Sequence, residues 1–89
     1  MKKIKLINCV VINHIKGYVE VAPFTNTDEA ADFCNFVMSM EQSVYEVFLG
    51  KKCEVEFDTD NKQMCLRNTT DDVVIVEINV DIRDLEINV

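Results

Sequence analysis

The sequence predicts a two-layer α+β fold, in which an antiparallel sheet of about five strands packs against one long helix. Two observations indicate this class. Stretches of β-branched or alternating residues are separated by short turns, as in strands joined into hairpins. Between them lies one long segment with apolar residues at helical spacing. A chain of 89 residues has room for one hydrophobic core, so residues 1–89 are expected to form a single domain.

The first two strands form a predicted hairpin. Ile4–Asn13 is rich in β-branched residues, and Tyr18–Ala22 alternates cleanly between apolar and polar positions. Pro23 is expected to end the second strand, because proline cannot donate a hydrogen bond to a sheet ladder.

The helix is predicted to begin at Thr27 and to run to Leu49. The Thr27 hydroxyl can cap the free backbone amides, and Gly50 can end the helix in a left-handed conformation. One apolar face follows from the helical spacing, and it is expected to pack against the sheet. Its members are Ala30, Phe33, Cys34, Val37, Met40, Val44, Val47 and Phe48.

A second hairpin follows the helix. Cys53–Asp58 alternates strictly, and Gln63–Arg67 is the return strand after a turn at Thr59–Lys62. A four-residue loop sets the register, which places Phe57 beside Met64 on the core face. The predicted pairs on the other face are Asp58 with Gln63, Glu56 with Cys65, and Glu54 with Arg67.

The last predicted elements are Val73–Val80 and the tail. Val73–Val80 is the most strand-like segment of the chain, and Leu85–Val89 alternates again. We expect a bend at Arg83 and Asp84, followed by a possible short final strand.

The charge and the cysteines limit the partners and the compartment. The chain has 16 acidic and 9 basic residues, a net charge of −7, so phosphate backbones and anionic lipid repel it. We therefore expect no direct nucleic-acid or membrane binding, and we do not expect the lysines near the N-terminus to form a signal peptide. Four cysteines without a CxxC pair are expected to be reduced thiols, which favours the cytoplasm, or the host cytoplasm for a phage-encoded chain.

No residue pattern predicts catalysis, a metal or a cofactor, so an enzyme is not expected. His14 is the only histidine, and Cys9 lies at the opposite parity of the neighbouring strand. The acidic turn that begins at Asp58 lacks the glycine and the glutamate of a calcium loop, since Gln63 and Thr69 stand at those positions. The two glycines are isolated, so a phosphate-binding loop is excluded.

The acidic residues predict a partner-binding surface. Glu54, Glu56 and Asp58 share one face of a strand at intervals of about 6.6–6.8 Å, which can imitate a row of phosphates. Further carboxylates lie in the neighbouring turns, at Asp60, Asp71 and Asp72. The simpler alternative is a solvated acidic surface that keeps the protein in solution.

A second predicted surface is apolar. Cys9–Ile12 and Val73–Val76 are apolar on both strand faces, and one helix covers only one of them. We expect Cys9, Val11 and Ala22 to share the uncovered face. The residues expected to mediate self-association as a homodimer are Val11, Val73, Ile75, Leu85, Ile87 and Val89.

These observations favour a non-enzymatic domain that binds another protein with a basic surface. In composition alone, it resembles the small acidic proteins with which phages and plasmids inhibit restriction and CRISPR enzymes. The main alternative is a homo-oligomeric scaffold module with a solvated acidic surface. A small-molecule pocket lined by Phe33, Phe36, Phe57 and methionines, or an unrecognised enzyme, remains open.

Overall fold

The computed structural model describes residues 2–88 and confirms the α+β class. Five antiparallel strands form one sheet in the order β2-β1-β5-β4-β3, and a single helix packs against it. The elements are β1 (Lys2–Asn13), β2 (Tyr18–Phe24), α1 (Thr27–Leu49), β3 (Cys53–Asp58), β4 (Gln63–Asn68) and β5 (Val73–Ile87).

The β3–β4 hairpin has the predicted register. Asp58 pairs with Gln63, Glu56 with Cys65, and Glu54 with Arg67. The turn is closed by the Asp58 carboxylate, which accepts hydrogen bonds from the backbone N–H and the side-chain amide of Asn61. Local alternation and turn length therefore determine this part of the fold.

Two strand ends differ from the prediction. β2 continues through Pro23 to Phe24, because β2 is an edge strand and loses no ladder donor there. The tail does not bend at Arg83 and Asp84, since β5 runs as one strand from Val73 to Ile87. The whole of β1 pairs with β5, from Asn13↔Val76 to Lys2↔Ile87, and this continuous ladder keeps the tail in line.

The helix ends are defined by two caps. Asn26, rather than Thr27, is the N-cap: its backbone is extended, and its side chain accepts hydrogen bonds from the N–H groups of Asp28 and Glu29. Gly50 ends the helix with a φ of 63°, as predicted.

The core face of β1 is opposite to the one predicted. Cys9 and Val11 are buried under the helix, and the Cys9 thiol lies 3.6 Å from that of Cys34 on α1. A bulge beside Leu66 also places Ile75 in the core. The prediction that Val11 and Ile75 mediate self-association is therefore wrong, because only 3% and 1% of their surfaces remain exposed.

The helix is rolled relative to its predicted orientation. Its buried residues are Ala30, Cys34, Met38, Glu41 and Tyr45, only two of which belong to the predicted face. Polar contacts with the sheet explain this orientation. The Asn13 amide donates to the Tyr45 hydroxyl at 3.1 Å, and the Gln42 amide donates to the Cys53 carbonyl at 2.9 Å. These bonds compete with apolar spacing in deciding which side of α1 faces the sheet.

Phe57 is not a core residue. Its side chain is 66% exposed, and it lies at the end of edge strand β3 that is remote from Cys53. The C-terminal half of α1 contacts β3 at Cys53, where the Glu46 carboxylate accepts a hydrogen bond from the backbone N–H. The helix thus covers one end of β3 and leaves the Phe57 end open.

Candidate protein-binding surfaces

The sheet has one face without a helix, called here the open face. Directly paired residues share a face, so the strand registers define its membership. One row across all five strands is Val19, Ile12, Glu77, Cys65 and Glu56. The row beside it is Val21, Val10, Asn79, Gln63 and Asp58. Both rows change from apolar on β2 and β1 to polar and acidic on β5, β4 and β3.

The apolar half of the open face, formed by β2 and β1, contains exposed hydrophobic side chains on the edge strand β2. Val19 and Val21 are 62% and 60% exposed, beside the partly buried Val10 and Ile12. Val10 and Ile12 alternate with the buried Cys9 and Val11 along β1. β1 therefore has an apolar outer face, but it is formed by Val10 and Ile12 rather than by the predicted Cys9 and Val11. An apolar patch of this kind on a small domain is typical of an interaction surface.

The apolar half continues into a two-stranded ribbon formed by residues 2–6 and 83–87. β2 pairs with β1 only from Ile7 onward, so this β1–β5 ribbon extends past its neighbours. Leu85 and Ile87 lie on its open-face side with Ile4 and Leu6, as the register requires. Val73 is exposed at the opposite end of β5 and does not join them, and Val89 lies outside the described residues.

The acidic half carries the predicted carboxylates, but several of them are paired within the chain. Glu54, Glu56 and Asp58 are exposed along β3, as the strand phase predicted. The Arg67 guanidinium binds the carboxylates of both Glu56 and Asp72.

Two lysines neutralise further predicted acids. Lys51 binds Asp71 at 2.6 Å, and Lys52 lies 3.9 Å from Glu54. Within residues 2–88, Asp58 and Asp60 are the predicted acids that form no ion pair. The two hydrogen bonds from Asn61 hold the pKa of Asp58 below its ordinary value. The β3–β4 turn therefore carries two carboxylates without an ion pair, Asp58 and Asp60, together with one cation, Lys62.

The carboxylate of Glu77 lies at the centre of the open face and is held by hydrogen bonds. Glu77 contacts the ring of His14 at 2.7 Å, and its second oxygen accepts a hydrogen bond from Gln63 at 2.7 Å. Cys65 lies between Glu77 and Glu56, and burial together with these two carboxylates raises the pKa of its thiol. A thiol in this setting is a poor nucleophile at neutral pH.

The groups considered in the sequence analysis for nucleophilic catalysis and for metal binding lie apart in the part of the chain that the structure describes. Residues 2–88 contain no cluster of three or more His, Cys, Asp or Glu side chains that could hold a metal ion. His14 contacts Glu77 on the open face, whereas Cys9 lies on the helix face.

The predicted small-molecule pocket is not assembled. Phe33 packs on Phe24 with ring centroids 5.2 Å apart, whereas Phe36 and Phe57 are exposed in different places. A different apolar cleft of about 250 Å³ lies between the N-terminal half of α1 and the sheet. It is lined by Ile7, Cys9, Thr27, Ala30, Ala31, Cys34, Asn35, Met64, Val80 and Ile82. Few polar groups converge there, so the cleft has little to orient a ligand.

One exposed apolar surface was not predicted from the sequence. Five apolar residues of α1 form an exposed row, called here the helix stripe: Phe36, Met40, Val44, Val47 and Phe48. Val47 is the most exposed of them at 86%, followed by Phe48 at 73%. All but Phe36 belong to the face expected to be buried. The sequence did indicate this surface, because the predicted apolar face of the helix is wider than a single contact between a helix and a sheet can cover.

The fold and these surfaces define a small α+β domain with an amphipathic open face and an apolar helix stripe. Comparison of the chain with protein-family models, with curated proteins and with solved structures found no match. Within residues 2–88, no helix combines the length and the apolar character that crossing a membrane requires.

Proposed function

We propose that this chain is a non-enzymatic protein-binding domain whose open face docks on a protein with a basic surface. The observation that carries the proposal is the composition of that face, where exposed valines on β2 lie in the same rows as carboxylates on β3. Apolar contact supplies affinity in protein interfaces, and charge complementarity supplies orientation and a faster association rate.

A narrower form of the proposal is an inhibitor of a nucleic-acid-handling protein, such as a restriction or CRISPR enzyme. The net charge of −7 and the regular carboxylate spacing on β3 support it, because a basic groove built for phosphates also attracts such a row. In this form, Asp58 and Asp60 enter the groove first, since neither carboxylate forms an ion pair within the described residues. The proposal places the protein in the cytoplasm, where its four unbonded cysteines stay reduced.

The test uses the immobilised chain to capture partners from host lysate, followed by titration of each captured protein. Val21→Lys places a charge in the apolar half, and the triple variant Glu54→Gln, Glu56→Gln, Asp58→Asn neutralises the acidic row. We expect Val21→Lys to abolish capture, and the triple variant to weaken binding and flatten its salt dependence.

A matched control removes the same charge elsewhere. Glu20→Gln, Asp32→Asn and Asp84→Asn lie off the open face and are expected to leave the affinity within about twofold. If the two triple variants behave alike, only net charge matters and the acidic half of the open face is not part of the binding site. A partner that binds Val21→Lys as tightly as the unmodified chain excludes the apolar half.

A homo-oligomeric scaffold module is a second candidate function. The β1–β5 ribbon favours it, because an isolated pair of strands is marginally stable unless its apolar face is covered. The double variant Leu85→Lys, Ile87→Lys tests this surface by sedimentation. A homodimer held by the ribbon is expected to dissociate, and an unchanged dimer excludes the ribbon as its interface.

A further inference from the structure

Two of the four cysteines meet between the helix and the sheet. The Cys34 thiol on α1 donates a hydrogen bond to the Cys9 sulfur on β1, and the two sulfur atoms lie 3.6 Å apart. Both side chains belong to the buried core and take no part in the open face or the helix stripe. The two residues are 25 positions apart in the chain, so a covalent bond between them joins the two layers of the fold.

The cleft between α1 and the sheet gives these side chains room to move. A disulfide bond is about 2.05 Å long, so the two sulfurs have to approach each other by roughly 1.6 Å. A close-packed interior resists such shifts. Here both cysteines line the apolar cleft of about 250 Å³, and its helix wall includes the small side chains of Ala30 and Ala31. Rotation of the cysteine side chains therefore meets free space on one side.

The same cleft lets a small oxidant reach the pair. Cys34 is 4% exposed, whereas Cys9 is 0% exposed, so a molecule in the cleft meets the Cys34 sulfur first. A water molecule takes up about 30 Å³ in the liquid, and hydrogen peroxide is little larger, so the cleft has room for it. The other two cysteines lie elsewhere, since Cys53 is buried beside the C-terminal half of α1 and Cys65 lies on the open face.

We propose that Cys9 and Cys34 are an oxidation site, at which hydrogen peroxide closes a disulfide that joins α1 to β1. In the first step, the Cys34 sulfur attacks one oxygen atom of the peroxide. An S–O bond forms, the O–O bond breaks, and the second oxygen leaves as water with the thiol proton. In the second step, the Cys9 sulfur attacks the sulfenic sulfur of Cys34. The S–S bond forms, the S–O bond breaks, and the hydroxyl group leaves as water with the Cys9 proton. The two thiols thus lose two electrons, and one peroxide is reduced to two water molecules.

The protonation state of Cys34 determines how fast the disulfide forms. The thiolate is the form that attacks the oxidant. Burial and the adjacent Cys9 thiol raise the pKa of Cys34 to about 12. Its ionised fraction therefore rises about tenfold with each pH unit below about pH 11, and the rate of oxidation rises with it. At neutral pH the pair resists oxidation and stays reduced in the cytoplasm, and it closes under sustained or alkaline oxidation.

The test exposes the reduced, folded chain to excess hydrogen peroxide at several pH values between about 7 and 10.5, below the melting temperature. The reaction is stopped by alkylation, and the chain is digested with trypsin without reduction. Trypsin separates the four cysteines into residues 6–16, 17–51, 53–62 and 63–67, so each linkage is identified by its mass. We expect residues 6–16 and 17–51 to appear as a linked pair, lighter than the two reduced peptides by the mass of two hydrogen atoms.

The rate of linkage is expected to rise about tenfold with each pH unit over the whole range. The linked chain is expected to melt at least about 10 °C above the reduced chain, because the bond restricts the unfolded chain. Cys65→Ser is the control and should form the linkage at the same rate as the unmodified chain. In Cys9→Ser, oxidation should stop at a sulfenic acid on Cys34, which dimedone labels.

A rate that levels off near pH 9 overturns the proposal, because an unfolded thiol has a pKa of about 8.5 and the oxidation then takes place in the unfolded chain. The proposal is also overturned if Cys9 and Cys34 both remain open to alkylation when the oxidised chain is unfolded. The same holds if linked peptides that contain Cys53 or Cys65 form faster than the pair of residues 6–16 and 17–51.

Discussion

Tyr45→Phe removes a single oxygen atom from the contact between the helix and the sheet. The hydroxyl is buried, with Tyr45 2% exposed, and accepts a hydrogen bond from the side-chain amide of Asn13 at 3.1 Å. The Asn13 oxygen loses the Tyr45 hydroxyl, which lies 3.4 Å away, but it keeps two donors in the variant, the backbone N–H groups of Ile15 and Lys16 at 3.0 and 2.8 Å. The amide N–H group, however, loses the hydroxyl, and Asn13 is only 1% exposed to water.

Leaving such a buried donor unsatisfied costs about 1–3 kcal/mol of unfolding free energy. For a domain of this size, each kcal/mol lowers the melting temperature by about 4–8 °C. Urea unfolding followed by circular dichroism measures the loss, and Tyr18→Phe, in a partly exposed tyrosine, serves as the control with an expected change below about 0.5 kcal/mol. Equal stability of Tyr45→Phe and the unmodified chain would refute the view that this bond sets the roll of α1.

Further substitutions, together with a pH titration and a thiol assay, test the packing and the charges. Met38→Ala should cost about 2–5 kcal/mol in urea unfolding, whereas Phe57→Ala should cost less than about 1 kcal/mol because its ring is 66% exposed. Burial and the adjacent Cys9 thiol raise the pKa of Cys34 from its ordinary 9.0 to about 12, so its stabilising contribution is complete below pH 9 and is lost as the pH rises toward 12. Thermal melts across this pH range should show a smaller loss of stability in Cys34→Ala than in the unmodified chain. In a separate test, a thiol assay should find four free thiols only after the chain is unfolded. Arg67→Ala frees Glu56 and Asp72, so it should change stability by less than about 1 kcal/mol and steepen the salt dependence of partner binding; an unchanged salt dependence would argue against the acidic half as a contact.

The sequence predictions were accurate where a feature depends on interactions between residues that are close together in the chain. The β3–β4 register was predictable because its strands alternate strictly and its turn is local, closed by Asp58 and Asn61. The helix end at Gly50 was predictable for the same reason. These features depend on residues that are neighbours in the chain.

Longer-range features were not predictable in this way. The roll of α1 depends on Tyr45 meeting Asn13, 32 residues away, and hydrophobic periodicity carries no information about such polar bonds. With the helix rolled, Val44 and Val47 became surface residues. The core face of β1 was assigned to the wrong parity because its Cys9–Ile12 segment is apolar on both sides, so alternation could not choose between them.

The position of β5 has a consequence for how the chain folds. β5 lies between two units that can each form locally, the β1–β2 hairpin and the β3–β4 hairpin, and it pairs with a strand from each. Until β5 is synthesised and inserted, β1 and β4 both present unpaired edges, which are templates for association with other chains. The joining step closes contacts between segments more than seventy residues apart, such as Ile4 with Leu85, and contacts of this kind slow folding to milliseconds or seconds. Weakening β5 should therefore expose nascent hairpins to aggregation for longer, even where the finished sheet is stable.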